Sequence, residues 1–347
     1  MMQGGEPLPA AGIPSSARAP GKCILFGEHA VVHGRPELVI ALDLYTQVVA
    51  RPAEQSMLEG SPTSARDHPY LAAALRSLWP AGSPAIDWSV VSRLPRAAGL
   101  GSSAALSSAV AAVLLAARGG ADRSILAEAS FAVERGAQGV GSPGDTSASV
   151  AGGLVAVNAS EGPPLWELSD DEHRWIVRRV ADPGWVWLVA YSGVPRDTAA
   201  TVRAVGRRLE APDGARLLDR FEAVARSGIS AIGREERTEV GRLMGENQEL
   251  LREVGVSHPR LEALLEAVQP YSYGAKLTGA GAGGSIVALP VPGKEVEAQR
   301  KLSALGALVF IARSAPRGAE LVLPAEPSSP PTDSSLPRDD PDDGPGL

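Results

Sequence analysis

The segment LPRAAGLGSSAA at 94–105 constrains this chain more than any other stretch of it. Glycines at 99 and 101 let backbone N–H groups approach a ligand with no Cβ in the way. The alanine-rich run 102–118 behind them reads as a helix that stops at Gly119 and Gly120. The first N–H groups of such a helix have no intrahelical partner, and its dipole favours an anion at that end. A serine hydroxyl there also suits Mg2+, a hard cation that prefers oxygen. No Lys-Ser or Lys-Thr follows the glycines, so this is not a Walker A loop. The G-x-G-x-x-A spacing matches a dinucleotide fingerprint. However, Asp122, the acid about 20 residues further on, stands where a helix begins and not at a strand end.

Two more glycine-rich segments frame the first. KLTGAGAGGS at 276–285 places glycines at 279, 281, 283 and 284, which disfavours a regular strand and suits close backbone approach to a ligand or a tight turn. ERGAQGVGSPGD at 134–145 carries two acids. Glu134 falls late in a helical pattern, where a carboxylate opposes the dipole and needs a partner cation. Asp145 sits among glycine, proline and serine and also reads as a turn former. Only four of the 33 cations are lysines, and two of these, Lys22 and Lys276, fall in glycine-rich contexts. Lysine is a compact point charge suited to phosphate.

Composition excludes several classes. Of the formal charge of -7, the segment 325–347 supplies -5, from six acids and Arg338, so no basic field for nucleic acid is present. That Pro-, Ser- and Asp-rich tail is expected to be disordered, as are residues 1–15. No run reaches the roughly 18 consecutive apolar residues of a membrane span. The N-terminus does not read as a secretory signal, and Cys23 alone forms no internal disulfide, which together point to the cytoplasm. Strands are expected at 17–26 (broken at Pro20-Gly21), 37–50, 85–92 and 185–191. Helices are expected at 69–78, 102–118 and 122–137 (with Asp122 as N-cap), and almost throughout 197–268, with breaks near Pro212, Gly233 and Pro259. A loop at 162–164, a helix at 292–305 and strands at 307–312 and 319–323 complete the pattern. This mixture indicates α+β or α/β domains with a boundary near 185.

Taken together, these segments resemble the kinase family of galactokinase, homoserine kinase, mevalonate kinase and phosphomevalonate kinase. APGKCILFGEHAVVHG at 19–34 is similar to the first family motif, LPRAAGLGSSAA to the second and KLTGAGAGG to the third. The sequence GEHAVVHG and the step from Glu134 to Asp145 resemble the mevalonate kinases within it. VPRDT at 194–198 and LMGENQ at 243–248 are similar to further stretches, and the likeness runs over about 16–324. Arg35-Pro36-Glu37, Ala282 and Ser285 depart from the pattern without removing a chemical group.

The resemblance implies a two-domain α+β fold. Residues 16–185 would form an N-terminal ribosomal-protein-like ATP-binding domain and residues 186–324 a ferredoxin-like C-terminal domain, with the active site in the cleft. It implies that Pro95, Gly99, Leu100, Gly101, Ser102, Ser103 and Ala104 cradle ATP, with Gly279, Gly281 and Gly283 closing over it. Ser103 and Glu134 would hold Mg2+. Asp145 would act as general base on the C5 hydroxyl of mevalonate, with Lys22 beside it, and Glu28, His29 and Thr198 would grip the substrate. His29 also reads as a purely structural hydrogen-bonding residue. The family is often dimeric, so a homodimer is expected. Neighbouring readings are a kinase for phosphomevalonate, a kinase for the 3-hydroxyl of mevalonate, and an inactive metabolite sensor.

Overall fold

The computed structural model describes residues 16–59, 61, 68–139, 143–196 and 198–322. The expected disordered ends, 1–15 and 325–347, lie outside them. Two sheets organise the chain, as the α+β expectation requires. The first holds β1 (Ser16–Phe26), β2 (Glu37–Ala53), β3 (Met57–Leu58), β4 (Ala85–Ser92), β5 (Leu154–Val157), β6 (Pro164–Ser169), β7 (Arg174–Val180) and β12 (Glu320–Leu321). Its order is β12-β1-β2-β5-β7-β6, with β4 joining the far half of β2. The second has the order β11-β8-β10-β9, from β8 (Trp187–Tyr191), β9 (Ser272–Thr278), β10 (Ser285–Pro290) and β11 (Leu308–Ala312). The chain thus leaves the first sheet after β7, builds the second, and returns to pair β12 antiparallel with β1.

The helices follow the sequence signals closely: α1 (Pro69–Leu78), α2 (Ser102–Ala117), α3 (Arg123–Gln138), α4 (Pro143–Ala151), α5 (Thr198–Leu209), α6 (Gly214–Gly233), α7 (Arg237–Glu253), α8 (Pro259–Val268) and α9 (Glu295–Ala304). Asp122 caps α3, accepting from the N–H groups of Ser124 and Ile125. Every residue of α2 from Ala104 to Leu115 is buried. Its alanines and serines let the helix run through the middle of the first domain, where larger side chains would force neighbours apart. Among the described residues no helix is long and apolar enough to cross a membrane.

Three local expectations need correcting. Pro20-Gly21 does not break β1; the strand continues through a register shift between Pro20 and Lys22. Proline has no N–H to give the ladder, and a Cβ on Gly21 would stand 2.6 Å from the Leu100 carbonyl oxygen. The bulge lets the Lys22 N–H bond that same carbonyl at 2.9 Å. The loop expected at 162–164 holds at Gly162 and Pro163 but gives way to β6 at Pro164, the start of a β6–β7 hairpin hidden by its interleaved charges. Asp145 does not form a turn but stands in the first turn of α4, where a carboxylate favours the helix dipole.

Candidate active site

A cavity of ≈ 1010 Å3 opens between the two sheets, and residues from both halves of the sequence line it. Lys22 and Asp145 meet in its wall, with Nζ and Oδ2 2.8 Å apart. The lysine is 1% exposed and the aspartate 22%, so the pair is rooted in protein and reaches the cavity through the aspartate. The Asp145 Oδ1 atom has no hydrogen-bond partner among the described residues. Arg123 and Arg179 donate to carbonyls of Val150, Ala151 and Gly152 at the far end of α4, anchoring the helix that presents Asp145.

The loop before α2 is shaped around Lys22. Gly101 adopts φ 71°, and a Cβ there would lie 2.6 Å from Lys22 Cγ. Gly101 is also the N-cap of α2 and brings no side-chain acceptor, so no side chain caps the first N–H groups of the helix, an arrangement that favours an anion. Pro95, Gly99, Leu100, Ser102 and Ser103 line the cavity with it, whereas Ala104 is buried in the core. Of the third glycine segment, Gly279 reaches the cavity. Gly281 and Gly283 instead pack against Val256 and Val194, with no space for a Cβ.

Glu134, from α3, comes up beneath the start of α2. Ser107 Oγ donates to its Oε2 at 2.9 Å and Gln138 Nε2 to its Oε1 at 2.7 Å, with the Ser103 side chain also bonded to it. Burial pushes its carboxyl up to about 7, against the pull of those hydroxyls. Glu134 and Ser103 together present only oxygen donors, the set that suits Mg2+. Among the described residues no cluster of three or more His, Cys, Asp or Glu could hold a metal. Two protein ligands, with phosphate and water completing the shell, fit that cation's usual sites. Tyr70 adjoins this group, its hydroxyl pushed up to about 12 by burial and by the nearby Glu134.

Glu28, His29 and Thr198 also line the cavity, in different ways. Glu28 is 1% exposed and ion-paired with Lys276, which is wholly buried in β9. Lys276, a phosphate candidate by its glycine-rich context, is therefore committed to Glu28 and to the Leu277 carbonyl at 2.6 Å. Desolvation pushes Lys276 down and Glu28 up, each opposed by the other's charge. His29, at φ 63°, places Nε2 3.0 Å from the Ala280 carbonyl. A carbonyl only accepts, so Nε2 carries the proton, and burial holds the ring neutral with a pKa of about 4. Thr198 opens α5 at the cavity rim.

The sequence reading missed Arg196, two residues before Thr198. Its guanidinium lies between the two glycine loops, 3.1 Å from where a Cβ on Gly99 would stand, and also against Gly279. It is half-buried with Nη1 unpartnered among the described residues, and desolvation lowers its pKa against the opposing charge of Asp145. A single arginine in VPRDT carries no spacing signal; the two glycines that make room for it did. Cys23 is buried, and desolvation pushes its thiol up to about 12, which leaves it inert.

Comparison with known proteins agrees with this geometry. Residues 69–153 match the GHMP kinases N terminal domain and residues 229–308 the GHMP kinases C terminal domain. A mevalonate kinase of Methanothermobacter thermautotrophicus is 33% identical over 289 residues, covering 79% of this chain and 89% of the relative. One of Archaeoglobus fulgidus is 32% identical, covering 79% and 91%. Among solved structures, the L. major mevalonate kinase in complex with R-mevalonate superposes with a TM-score of 0.72 at 23% identity, covering 87% of this chain and 96% of that one. The Lactococcus lactis galactokinase complexed with galactose shares the fold at a TM-score of 0.68 and 18% identity, covering 89% and 95%. The chain belongs to the GHMP kinase family, among the mevalonate kinases.

Proposed function

We propose that the protein transfers the γ-phosphoryl group of ATP to the C5 hydroxyl of mevalonate, giving ADP and 5-phosphomevalonate. The observation that carries this reading is the half-open Lys22–Asp145 pair standing beside the uncapped start of α2, in one cavity. Phosphoryl transfer asks for positioning and charge neutralisation more than for covalent chemistry.

ATP phosphates rest on the free N–H groups behind Gly101, at the Gly99–Ser103 loop. Ser103 and Glu134 would hold Mg2+, which neutralises phosphate oxygens when bound. The C5 hydroxyl gives its proton to Asp145 as it attacks the γ-phosphorus. Lys22 keeps that carboxylate aligned and stabilises charge on the transferring group. Arg196, with a buried guanidinium edge unpartnered among the described residues, suits the mevalonate carboxylate. Thr198 and the neutral His29 ring serve its hydroxyls, and only Oε2 of Glu28 remains for the substrate, since Oε1 is held by Lys276.

A phosphorylated acceptor would need a further free cation. Arg35, the candidate nearest in sequence, is engaged by Asp219 at 2.9 Å and by Glu222 of α6. This disfavours phosphomevalonate as acceptor. The test is ATP consumption with Mg2+ and, separately, mevalonate, phosphomevalonate, galactose and homoserine. Turnover with mevalonate alone, phosphorylated at C5, is expected; turnover with another acceptor overturns the substrate, and none at all overturns the enzyme.

A further inference from the structure

Tyr70, in the first turn of α1, lines the same cavity on the nucleotide side and has no role in the chemistry above. Its hydroxyl oxygen accepts from Gln138 Nε2 at 2.6 Å. The same nitrogen donates to Glu134 Oε1 at 2.7 Å, so both amide hydrogens of Gln138 are used. The Ser103 side chain adjoins both Glu134 and Tyr70.

The tyrosine is left with a proton to give. Its oxygen accepts from Gln138, which leaves its own proton for Ser103 beside it or for a ligand. Ser103 is the second residue of α2, at the free N–H groups where an anion docks. A phosphate oxygen seated there falls within reach of Tyr70 and outcompetes a serine hydroxyl as acceptor, because charge-assisted bonds are about twice as strong.

We propose that Tyr70 is a nucleotide-binding residue that donates its hydroxyl proton to a phosphate oxygen of bound ATP, while Gln138 ties it to Glu134 and sets that carboxylate's orientation. This rests on the reading of the cavity as an ATP site. Calorimetric titration of wild type and Tyr70→Phe with Mg2+ and the non-hydrolysable triphosphate AMP-PNP, with adenosine, and with mevalonate tests it. The variant is expected to bind the triphosphate about tenfold more weakly. Adenosine and mevalonate affinities and the melting temperature of the ligand-free protein stay as in the wild type. Unchanged triphosphate affinity overturns the proposal, and so does an equal loss for adenosine, which would mark a packing defect. Failure of the wild type to bind the triphosphate overturns the ATP site itself. A crystal structure of wild type with Mg2+ and AMP-PNP gives a second reading: Tyr70 Oη against a phosphate oxygen supports the proposal, and Oη turned away from the phosphates overturns it.

Discussion

Two lysine–carboxylate pairs lie under the cleft, and they differ in one property. In Lys22–Asp145 the lysine is sealed but the aspartate is 22% exposed and faces the cavity. In Lys276–Glu28 both partners are sealed, at 0% and 1% exposure, and they join β9 of the second sheet to the turn after β1 of the first. Chemistry and distance in sequence from a glycine segment are alike; solvent access separates them. An open carboxylate can take a substrate proton, whereas the sealed Glu28 keeps one oxygen on its partner and has only the other left to meet a ligand. The neighbouring contacts follow the same division. Thr278 Oγ1 both accepts from the Ile24 N–H and donates to its carbonyl, and Ser285 Oγ donates to the Ala98 carbonyl at 2.7 Å, so the sealed side is where the domains are tied.

The comparison breaks most visibly at Lys276. Removing one partner of a sealed pair strands a buried charge, so Lys276→Met is expected to lose about 3–5 kcal/mol of stability. Adding Glu28→Gln to it should recover most of that loss, because the stranded charge is then gone. Urea unfolding of the two variants checks both statements. A Lys276→Met protein as stable as the wild type would mean that the pair is not a tie.

Glu134 sharpens the comparison with a smaller effect. It is buried like Glu28, but hydroxyls and an amide are its direct partners, and its carboxyl rises from 4.5 to about 7. The folded, ligand-free protein therefore keeps a proton that the unfolded chain releases above pH 4.5. The resulting stability is full below that value and is lost as pH rises through 7. Between pH 5.5 and 8 the wild type should lose about 2 kcal/mol that Glu134→Gln does not. Denaturant unfolding at the two pH values measures it, and parallel behaviour of the two proteins would sink the assignment.

Much of this was legible in the sequence, because glycine, proline and cap residues act locally. The helices at 69–78 and 102–117 and the Asp122 cap need no tertiary information. The family motifs located Lys22, Ser103, Glu134 and Asp145, which the fold brings to one cavity. The β6–β7 hairpin was not legible, since alternation broken by Arg178 and Arg179 looks like a solvated loop. Arg196, Tyr70 and Gln138 were missed for a different reason. Arg196 meets Gly99, and Tyr70 meets Gln138, across different elements, and a side chain whose role depends on such partners has no spacing to read. Lys276 shows the converse: its glycine-rich context suggested phosphate, and only its burial against Glu28 revealed a structural tie.

The claim that the open pair does the chemistry is tested most directly by single-turnover phosphorylation of mevalonate in Asp145→Asn, with ATP and mevalonate affinities measured alongside. The transfer rate should fall by about 10²- to 10⁴-fold while both ligands bind as in the wild type and the protein remains folded. A variant that transfers phosphate at the wild-type rate would contradict it and move the base elsewhere in the cavity.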